Sequence, residues 1–574
     1  MGRSLLLLWL LLDKEDIKMN KEKLIDYVLQ YDLLLANYLK ENYDNFTLAN
    51  YVDYLAEAEG SKQALCHVDK NLVRREFSYK DLSELSNKMA NYLRKKGVQK
   101  GDVVALILRN NYEFYIASLA LQKLGAITLT LQYTNKEGQY NSIFRRSNPK
   151  CVIADDYEII QGKNQSAFVL DELNKSCSDD MVKLCTYPKS KYSKEWESLD
   201  CYLNESDEFV NEDVYIDDLG YLFSTSGTTG EPKLVMHNYG FALSHFFTGL
   251  WYGVEKGKKH YTIADSGWGM AAWNMCAVLL RQGIVYVNDF DRFNPEYLLE
   301  CMSVEEINSL CAPRSILVPL LNYLELCGCS PKLQLKSISS AGEAVDDDTK
   351  RRCKERFGVM PKEGYGMTEI VLPIFEDATG KKQYSPLYES INLEKVKGFE
   401  GREIVITTKG KIGLFMGYLE QLKQQREKCV LYRLPPKEFG RVIWHTGDAG
   451  HVAENGEIYC DGRLGNIVKV NDCLVNMSEV EAVIKSHPGV SDCIVESKKD
   501  VDSGNILRVT VEIKPGDELT AEDIQLFVKQ NLPDYCRPKE VVFGRIPRTS
   551  NGKTKRKVLA PPKKMTRASR TLTA

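Results

Sequence analysis

The chain has 574 residues, and its 76 Lys and Arg nearly balance its 79 Asp and Glu, for a formal net charge of −3. This length allows more than one domain and a large buried core. The charge balance excludes a general basic surface of the kind that attracts nucleic acid or an anionic membrane, so any phosphate binding must be local.

An apolar run from Leu5 to Leu12 follows Arg3 at the start of the chain. Such a run could be the core of a signal peptide or a membrane anchor. However, charged residues 13–16 follow it, no small-residue cleavage site is present, and the run is too short to cross a bilayer. We therefore expect residues 1–18 to be an extension outside the fold, with a membrane anchor as the alternative.

Short apolar runs typical of strands alternate with helical patterns through most of the chain, for example at residues 103–108, 126–131 and 283–287. This alternation predicts an α/β fold with layered sheets. Residues 155–215 are more polar, and we expect surface excursions there rather than a linker between domains.

One helix can be predicted in detail. Ser78 and Asp81 have the spacing of a capping box, and Gly97 is a typical stop beyond the C-terminus of a helix. The apolar residues between them recur at helical spacing and form one face: Leu82, Leu85, Met89 and Leu93.

The segment after the apolar run 221–223 combines hydroxyl side chains, glycines and a lysine: Thr225, Ser226, Gly227, Thr228, Thr229, Gly230, Glu231, Pro232 and Lys233. Glycines let the backbone approach a ligand closely, while hydroxyl and amide groups donate hydrogen bonds to anionic oxygens. The Walker pattern is absent. A flexible surface turn is the alternative, but nine ordered positions favour a cradle for a polyphosphate and predict ATP.

Two later segments could bind the purine of such a nucleotide. Gly342 and Glu343 follow the strand-like run 335–339. The second segment presents backbone groups, an aromatic face and a terminal carboxylate: Glu363, Gly364, Tyr365, Gly366, Met367, Thr368 and Glu369. Glu369 could hold the Mg²⁺ that accompanies ATP, because this ion prefers oxygen ligands. Each segment alone is more typical of a turn.

Three further side chains are candidates. Asp448 follows Gly447 in what the pattern predicts as a tight turn, where its carboxylate could accept hydrogen bonds from both ribose hydroxyls; an Asx-turn is the alternative. Lys553 follows Gly552 in a basic segment whose composition alone indicates a solvated loop. His237 follows the phosphate segment, and a lone histidine is more often structural.

Residues 460–465 indicate a domain boundary, which we place after residue 461. A large N-terminal domain of residues 19–461 would then precede a small mobile α+β domain of residues 462–560. The basic tail, residues 561–574, lacks large apolar side chains and is expected to be disordered.

Within the small domain, capping patterns predict two helices. Ser478 with Glu481 indicates the start of the first helix, and Thr520 with Asp523 indicates the start of the second. Apolar runs at residues 493–495 and 507–513 predict strands.

The 16 cysteines are scattered, and no pair of C-x-x-C motifs gives zinc-ligand spacing. Cys327 and Cys329 are the closest pair. We expect reduced, mostly packed thiols and a cytoplasmic protein.

Taken together, these motifs resemble those of the AMP-forming, adenylate-forming enzymes, which include acyl-CoA synthetases, luciferases and the adenylation domains of peptide synthetases. The order and spacing match from about Phe77 to Leu559. The segment from Tyr261 to Trp268, which reads YTIADSGW, is most similar to the acyl-pocket segment of medium-chain acyl-CoA synthetases.

The resemblance implies that a carboxylate attacks the α-phosphate of ATP with the help of Mg²⁺, and that the acyl group then passes to the thiol of coenzyme A. By matching position, Lys553 bridges the carboxylate and the phosphate, with Glu369 and Thr225 as the other catalytic residues. Asp448 and Arg463 would hold the ribose. A swing of the small domain would separate the two half-reactions.

The same resemblance places His237, Trp268 and Gly366 at the acyl site. Acetate-specific relatives carry a tryptophan at the position of Gly366, so its absence predicts a medium-chain, branched or aromatic acid rather than acetate. The expected partners are this acid and coenzyme A, with no nucleic acid and no membrane span. The oligomeric state stays open.

Several positions depart from the family pattern. Residues 469–474 replace a segment that normally reads Lys-Ser-Ser-Gly-Tyr-Arg, so Asp472 and Leu474 stand where a glycine and an arginine are expected. Gly465 stands where the hinge residue is usually charged. Two alternatives therefore stay open: transfer of the acyl group to a carrier-protein thiol, or a nucleotide-binding homologue with impaired turnover.

Overall fold

The computed structural model describes residues 21–160, 166–225, 232–290, 293–342, 344–396, 401–408, 412–419, 442–470, 473–500, 504–514 and 516–546. These residues divide into two compact units. Unit 1 contains residues 21–392 and 405–446, and unit 2 contains residues 393–404 and 447–546. The boundary that the sequence predicts after residue 461 lies inside unit 2.

The strands of the described ranges are β1 (Gln63–Val68), β2 (Arg74–Ser78), β3 (Val103–Ile107), β4 (Ile127–Thr130), β5 (Cys151–Asp155), β6 (Glu158–Ile160), β7 (Ser166–Phe168), β8 (Val182–Thr186), β9 (Glu197–Ser198), β10 (Leu219–Thr225), β11 (Lys233–Asn238), β12 (Lys259–Thr262), β13 (Ile284–Asn288), β14 (Ser309–Cys311), β15 (Ser337–Ala341), β16 (Pro361–Met367), β17 (Ile370–Glu376), β18 (Lys382–Tyr384), β19 (Ser390–Lys395), β20 (Arg402–Thr408), β21 (Gly417–Tyr418), β22 (Val442–Val452), β23 (Ile458–Arg463), β24 (Ile467–Val470), β25 (Cys473–Asn476), β26 (Val490–Asp500), β27 (Gly504–Ile513) and β28 (Glu540–Phe543).

The α-helices of the same ranges are α1 (Lys21–Leu29), α2 (Leu33–Asn42), α3 (Leu48–Glu59), α4 (Tyr79–Lys95), α5 (Tyr112–Lys123), α6 (Glu137–Ser147), α7 (Val169–Asn174), α8 (Gly240–Ser244), α9 (Phe246–Tyr252), α10 (Gly269–Leu280), α11 (Pro295–Val304), α12 (Arg314–Cys327), α13 (Asp347–Phe357), α14 (Met477–Lys485) and α15 (Ala521–Asn531). Short 3₁₀ turns occur at Lys191–Ser193, Leu199–Asn204, Leu464–Asn466 and Asp534–Cys536.

Unit 1 is built on two large sheets. The eight-stranded sheet has the order β21-β11-β10-β4-β3-β5-β8-β9, and the nine-stranded sheet has the order β18-β17-β16-β15-β14-β12-β13-β1-β2. The central strands of both run parallel, as shown by the pairs β3 with β4 and β14 with β15. Because parallel strands end at the same edge of a sheet, the loops that follow them come together there.

Each sheet of unit 1 packs its own apolar core. Side chains of α6 and α7 join the core of the eight-stranded sheet, and side chains of α11, α12 and α13 join that of the nine-stranded sheet. The predicted α/β layers are therefore confirmed. The predicted strands at 103–108, 126–131 and 283–287 correspond to β3, β4 and β13.

Unit 2 is the predicted smaller α+β body. It contains the three-stranded sheet β26-β27-β28 and the hairpin β24-β25, and α14 and α15 supply side chains to its core. A four-stranded sheet has the order β19-β20-β22-β23.

Capping explains where several helices begin. Ser78 and Asp81 form the predicted capping box at α4, and Thr520 and Asp523 form the one at α15. The predicted cap at Ser478 is wrong. Asn476 caps α14 by accepting a hydrogen bond from the Ser478 backbone N–H, because the helix starts two residues earlier than the Ser-x-x-Glu pattern indicates.

The side chain of Glu481 is not a cap either. It is buried, and its carboxylate accepts a hydrogen bond from the backbone N–H of Val495 at 2.8 Å. This bond ties α14 to β26, so the glutamate serves packing between elements rather than the helix start.

The polar region 155–215 is not only a surface excursion. Its strand β8 pairs with β5 inside the eight-stranded sheet, and Leu184 and Cys185 are fully buried. The prediction missed this strand because Lys183 and the polar flanks break the apolar run.

The thiols are mostly packed, as predicted. The buried free cysteines include Cys66, Cys151, Cys276 and Cys311. Cys327 and Cys329, however, lie at the exposed end of α12 with their sulfur atoms in contact. Gly328 has φ +64°, and this left-handed residue turns the chain between them.

Candidate active site

A hairpin in unit 1 carries the predicted phosphate segment. Strand β10 ends at Thr225 and β11 begins at Lys233, and these two residues are paired in antiparallel register. Arg146 on α6 donates a hydrogen bond to the carbonyl oxygen of Pro232 at 2.7 Å. The hairpin and this arginine therefore fix both ends of the segment, whose residues 226–231 lie outside the described ranges.

The lysine at the end of this hairpin belongs to a small polar cluster. The Nζ of Lys233 lies 4.8 Å from the ring centroid of Tyr418 on β21. The hydroxyl of Tyr418 donates a hydrogen bond to Oε1 of Glu369 at 2.7 Å. We call Lys233, Tyr418 and Glu369 the loop-end cluster. The cluster brings the Lys233 ammonium group and the Glu369 carboxylate to the base of the phosphate segment. Its three residues are far apart in the sequence.

Glu363 on β16 is held by a network of charges. Its two carboxylate oxygens accept hydrogen bonds from the backbone N–H of Val345 and from Nζ of Lys350, each at 2.8 Å. Lys350 also lies 3.3 Å from Glu376, which accepts a hydrogen bond from the Glu363 backbone N–H at 2.8 Å. Burial acts to lower the pKa of Lys350, but the hydrogen bond and charge of Glu363, together with Glu376, outweigh it and raise this pKa.

This network connects the two segments that the sequence predicts on the purine side. Val345 follows Gly342 and the undescribed Glu343, and Glu363 opens the glycine-rich segment. The side chain and the backbone N–H of Glu363 are therefore both engaged within the protein.

Close packing explains why two positions of β16 are glycines. A Cβ at Gly364 would lie 2.6 Å from the Trp251 ring, and a Cβ at Gly366 would lie 3.2 Å from the backbone nitrogen of Leu372. Tyr365 and Met367 lie in the same strand. A larger residue at 366 would require β17 to shift.

His237 is entirely buried, and its Nε2 donates a hydrogen bond to the carbonyl oxygen of Thr368 at 2.7 Å. Burial lowers the pKa of His237 to about 4, so the ring is neutral at neutral pH. The histidine fixes the backbone just before Glu369. His237 therefore lies next to the glycine-rich segment. Its role at the acyl site stays a prediction.

The predicted acyl segment is clamped to the end of β3. Asn110 donates to the carbonyl oxygen of Ala264 and accepts from the backbone N–H of Ser266, each at 2.9 Å. The Ser266 hydroxyl donates to the carbonyl oxygen of Leu108. Trp268 follows as the residue before α10. These contacts position the tryptophan at the N-terminus of an otherwise buried helix.

Asp448 and Arg463 come together in unit 2. They are paired across β22 and β23, and Nε of the arginine lies 3.1 Å from Oδ1 of the aspartate. Asp448 is buried, whereas the side chain of Arg463 is 59% exposed. The predicted turn at Asp448 is wrong: it lies inside β22, and the preceding Gly447 has φ +75° and donates its N–H to Glu403.

Several predicted site residues lie outside the described ranges: Ser226, Gly227, Thr228, Thr229, Gly230, Glu231, Glu343, Asp472 and Lys553. For Gly465, an added Cβ would meet no atom within 4 Å, so local packing does not require a glycine there.

The sequence did not predict three residues that contact the candidate site: Arg146, Lys350 and Tyr418. Each acts through a contact between distant segments, and none stands in a glycine-rich or capping pattern that could have marked it.

The described residues contain no group of three or more His, Cys, Asp or Glu side chains placed to hold a metal ion. None of the helices in those ranges combines the length and the apolar character that a membrane span requires.

Two family models match the chain. The model of the family described as AMP-binding enzyme matches residues 55–391, and that of the AMP-binding enzyme C-terminal domain matches residues 479–553. The chain is 26% identical over 566 residues to 4-hydroxybutyrate–CoA ligase 1 of Metallosphaera sedula, covering 93% of this chain and 92% of that protein.

It is also 26% identical over 530 residues to the mitochondrial acyl-coenzyme A synthetase ACSM3 of Homo sapiens, covering 87% and 85% of the two chains. Among solved structures, the anthranilate CoA ligase AuaEII in complex with anthranoyl-AMP has a TM-score of 0.73 at 18% identity. That match covers 89% of this chain and 96% of the other. At this identity, the likeness shows the fold.

Proposed function

The chain belongs to the family of AMP-binding enzymes, and from this premise we propose that it is an AMP-forming acid–CoA ligase. In the first step a carboxylate oxygen attacks the α-phosphorus of ATP and pyrophosphate leaves. In the second step the thiol sulfur of coenzyme A attacks the acyl carbon, the thiol proton is lost, and AMP leaves. The loop-end cluster beside the phosphate segment is the observation that carries this proposal.

The first step brings two anions together. At about 4 Å their repulsion amounts to about 4 kcal/mol at an effective dielectric constant near 20. Lysine side chains suit this problem because they carry a compact charge on a long stem. We propose that Lys553 neutralises the reacting pair, while Lys233 and the donors of residues 225–233 hold the leaving pyrophosphate.

The donor set of the loop-end cluster suits Mg²⁺, which prefers oxygen ligands and retains several waters. We propose that Glu369 is its protein ligand, with Tyr418 orienting the carboxylate through the 2.7 Å hydrogen bond. When bound, the ion would supply charge to the phosphate oxygens. Thr225 would bind the same phosphates at the end of β10.

In unit 2, we propose that Asp448 and Arg463 bind the ribose. The 3.1 Å contact between them supports this role, because the arginine orients the carboxylate. The purine would lie along Gly342, Glu343 and residues 363–368. Residues 462–465 are proposed as the pivot, with 19–461 and 462–560 as the two moving bodies; residues 1–18 and 561–574 would lie outside them.

The acid is proposed to be medium-chain, branched or aromatic, since Gly366 stands at the position where acetate-specific relatives carry a tryptophan. His237 and Trp268 would border it. The proposed location is the cytoplasm. We propose no nucleic-acid partner, and the oligomeric state stays open.

Asp472 and Leu474 favour a second candidate. An anion and an apolar residue stand where the family has a glycine and an arginine near coenzyme A. This substitution would weaken binding of that phosphate-rich substrate. The candidate is an enzyme that forms the acyl-adenylate and delivers it to a carrier-protein thiol. A nucleotide-binding homologue without turnover is the remaining alternative.

The test is carboxylate-dependent exchange of labelled pyrophosphate into ATP, followed by a thioester assay with coenzyme A. We expect exchange with acids from hexanoate to benzoate, weaker exchange with acetate, and thioester only with coenzyme A present. Exchange without thioester supports the carrier-protein candidate. Folded protein that gives no exchange with any acid supports the homologue without turnover and contradicts the ligase.

A further inference from the structure

Two cysteines separated by one glycine stand at the C-terminal end of α12. Cys327 is the last residue of this helix, Gly328 caps it, and these two residues and Cys329 are all exposed. The preceding Leu326 is 88% exposed. Small molecules can therefore reach this turn from solvent.

Most other cysteines of the described ranges are packed inside the protein, as Cys66 and Cys151 are. Burial raises the pKa of the Cys66 thiol to about 11, which keeps it protonated at neutral pH. The thiolate is the reactive form, so buried thiols of this kind are inert. Cys201 is exposed and free, and it provides a comparison with the pair on α12.

The turn at Gly328 brings the two cysteines into a geometry that suits a disulfide. Gly328 has φ +64°, a left-handed conformation that glycine adopts at little cost. The Cα atoms of Cys327 and Cys329 lie 5.2 Å apart, inside the range of about 4.4–6.8 Å that disulfides use. A bond between the two sulfur atoms would thus require no movement of the backbone.

Hydrogen bonds distinguish the two sulfur atoms. The backbone N–H of Cys329 donates to Sγ of Cys327 at 3.2 Å, whereas the thiol of Cys329 donates to the carbonyl oxygen of Cys327 at 3.7 Å. Sγ of Cys327 also has a longer contact, of 3.8 Å, with the Leu324 carbonyl oxygen. A donor directed at sulfur stabilises the thiolate. Cys327 is therefore the better nucleophile, and Cys329 is placed to react after it.

Two kinds of chemistry are usual for closely spaced cysteines in a cytoplasmic protein, the location proposed above: metal binding and reversible redox reactions. A structural zinc ion takes four ligands. Two thiols are too few, and the described ranges hold no cluster of three metal-binding side chains. Reversible redox chemistry is therefore favoured, because exposed disulfides are the labile ones.

We propose that Cys327 and Cys329 form a thiol–disulfide exchange site for low-molecular-weight disulfides. The thiolate sulfur of Cys327 attacks one sulfur of the small disulfide, whose S–S bond breaks, and the first small thiolate leaves and takes up a proton. The Cys329 thiol then loses its proton, and its sulfur attacks Sγ of Cys327. The second small thiolate leaves and is protonated.

The pair thus loses two electrons and two protons, and the small disulfide is reduced to two thiols. A dithiol reductant reverses the reaction. This inference goes beyond the proposed ligase function and does not rest on it.

The test treats the reduced full-length protein with oxidised glutathione at neutral pH, followed by an acid quench, trypsin and mass spectrometry. Cleavage after Arg314 and Lys332 gives one peptide, residues 315–332, that contains both cysteines and no other. We expect this peptide to become lighter by two hydrogen atoms and to carry no glutathione. Cys201, in the peptide of residues 195–233, should retain one glutathionyl group because it has no second thiol beside it.

Two variants separate the roles of the sulfur atoms. Cys329→Ser should stop at the mixed disulfide, so that peptide 315–332 retains one glutathionyl group. Cys327→Ser should form its mixed disulfide more slowly than Cys329→Ser does, since the better nucleophile is lost. Cys201→Ser is the matched control and should leave the wild-type result at peptide 315–332 unchanged.

A wild-type peptide 315–332 that retained glutathione, or that did not react, would overturn the inference. So would equal rates in Cys327→Ser and Cys329→Ser for the assignment of the attacking sulfur. Pyrophosphate exchange is a separate measurement, so its failure would contradict the ligase function and leave this site standing.

Discussion

Lys350 is the residue on which the geometry of the proposed purine side depends. Its ammonium group lies 2.8 Å from Glu363 and 3.3 Å from Glu376, and these three side chains are mostly buried. Without the lysine, two neighbouring carboxylates would repel one another, although Lys382 still lies 3.0 Å from Glu376.

We predict that Lys350→Met raises KM for ATP several-fold while changing kcat less, and lowers the free energy of unfolding by about 2 kcal/mol. Lys350→Arg should restore most of both. Lys354→Met is the matched control on the same helix, because Lys354 is exposed and, within the described ranges, its ammonium group hydrogen-bonds to the Gly358 carbonyl alone. Pyrophosphate exchange against ATP concentration measures the effect. An unchanged KM in Lys350→Met would show that the network does not position the nucleotide site.

At this scale the sequence marks a continuous motif of glycines and hydroxyls but not the residues that contact it from other segments. Thr225 and Lys233 could be identified because they flank a continuous motif. Tyr418 and Arg146 could not, since each contributes through one contact made only after distant strands pair. Glu363 was found, but its carboxylate turned out to bind Val345 and Lys350.

At the scale of elements, capping decides where α14 begins. The side chain of Asn476 accepts from the Ser478 N–H at 3.0 Å, and its amide donates to the Asp461 carbonyl at 2.5 Å. The hydroxyl of Ser478 has only a longer contact of 3.3 Å, from Asn466.

We predict that Asn476→Ala destabilises unit 2 by about 1–2 kcal/mol, whereas Ser478→Ala costs less. Hydrogen exchange of the amides at 479–484 measures this directly, because loss of the cap raises local opening. Faster exchange in Ser478→Ala than in Asn476→Ala would contradict the assignment. Ser78 and Thr520 form complete capping boxes, and at both positions the sequence pattern correctly predicted where the helix begins.

The sequence also predicts some strands and misses others. Apolar runs identify β3, β4 and β13, because their side chains are buried on both faces of a parallel sheet. Strand β8 was missed, since burial there comes from its neighbours β5 and β9 rather than from an unbroken apolar run. Pairing between distant segments is the information that local patterns lack.

At the scale of the whole molecule, the burial of histidines makes the folded state less stable in acid. Burial lowers the pKa of four histidines in unit 1: that of His67 and His237 to about 4, that of His260 to about 3, and that of His245 well below its usual value. The unfolded chain binds protons at these sites below pH 6.5 and the folded chain does not, so stability falls as the pH drops from 6.5 towards 4. Glu113 and Asp265 oppose this trend, because burial raises the pKa of each, to about 7 and about 6.

We predict that His260→Gln reduces the pH dependence of unfolding by about one proton, or about 1.4 kcal/mol per pH unit between pH 6 and 4.5. Denaturant unfolding at a series of pH values checks this. An identical slope in the wild type and His260→Gln would mean that His260 is protonated in the folded protein.

The two-unit organisation could be predicted from the sequence, although the boundary could not. Gly462 and Gly465 suggest a break, but the structure divides the chain at residue 446 because β22 and β23 pair as one hairpin. The position of the proposed pivot therefore stays a prediction.

The central claim is that a carboxylate attacks the α-phosphorus of ATP. Turnover with an accepted carboxylic acid that carries ¹⁸O in both carboxylate oxygens, in the presence of coenzyme A, tests it most directly. The account predicts that AMP gains one ¹⁸O atom and that pyrophosphate gains none, as mass spectrometry of the two products would record. Label in pyrophosphate or inorganic phosphate, with unlabelled AMP, would contradict it.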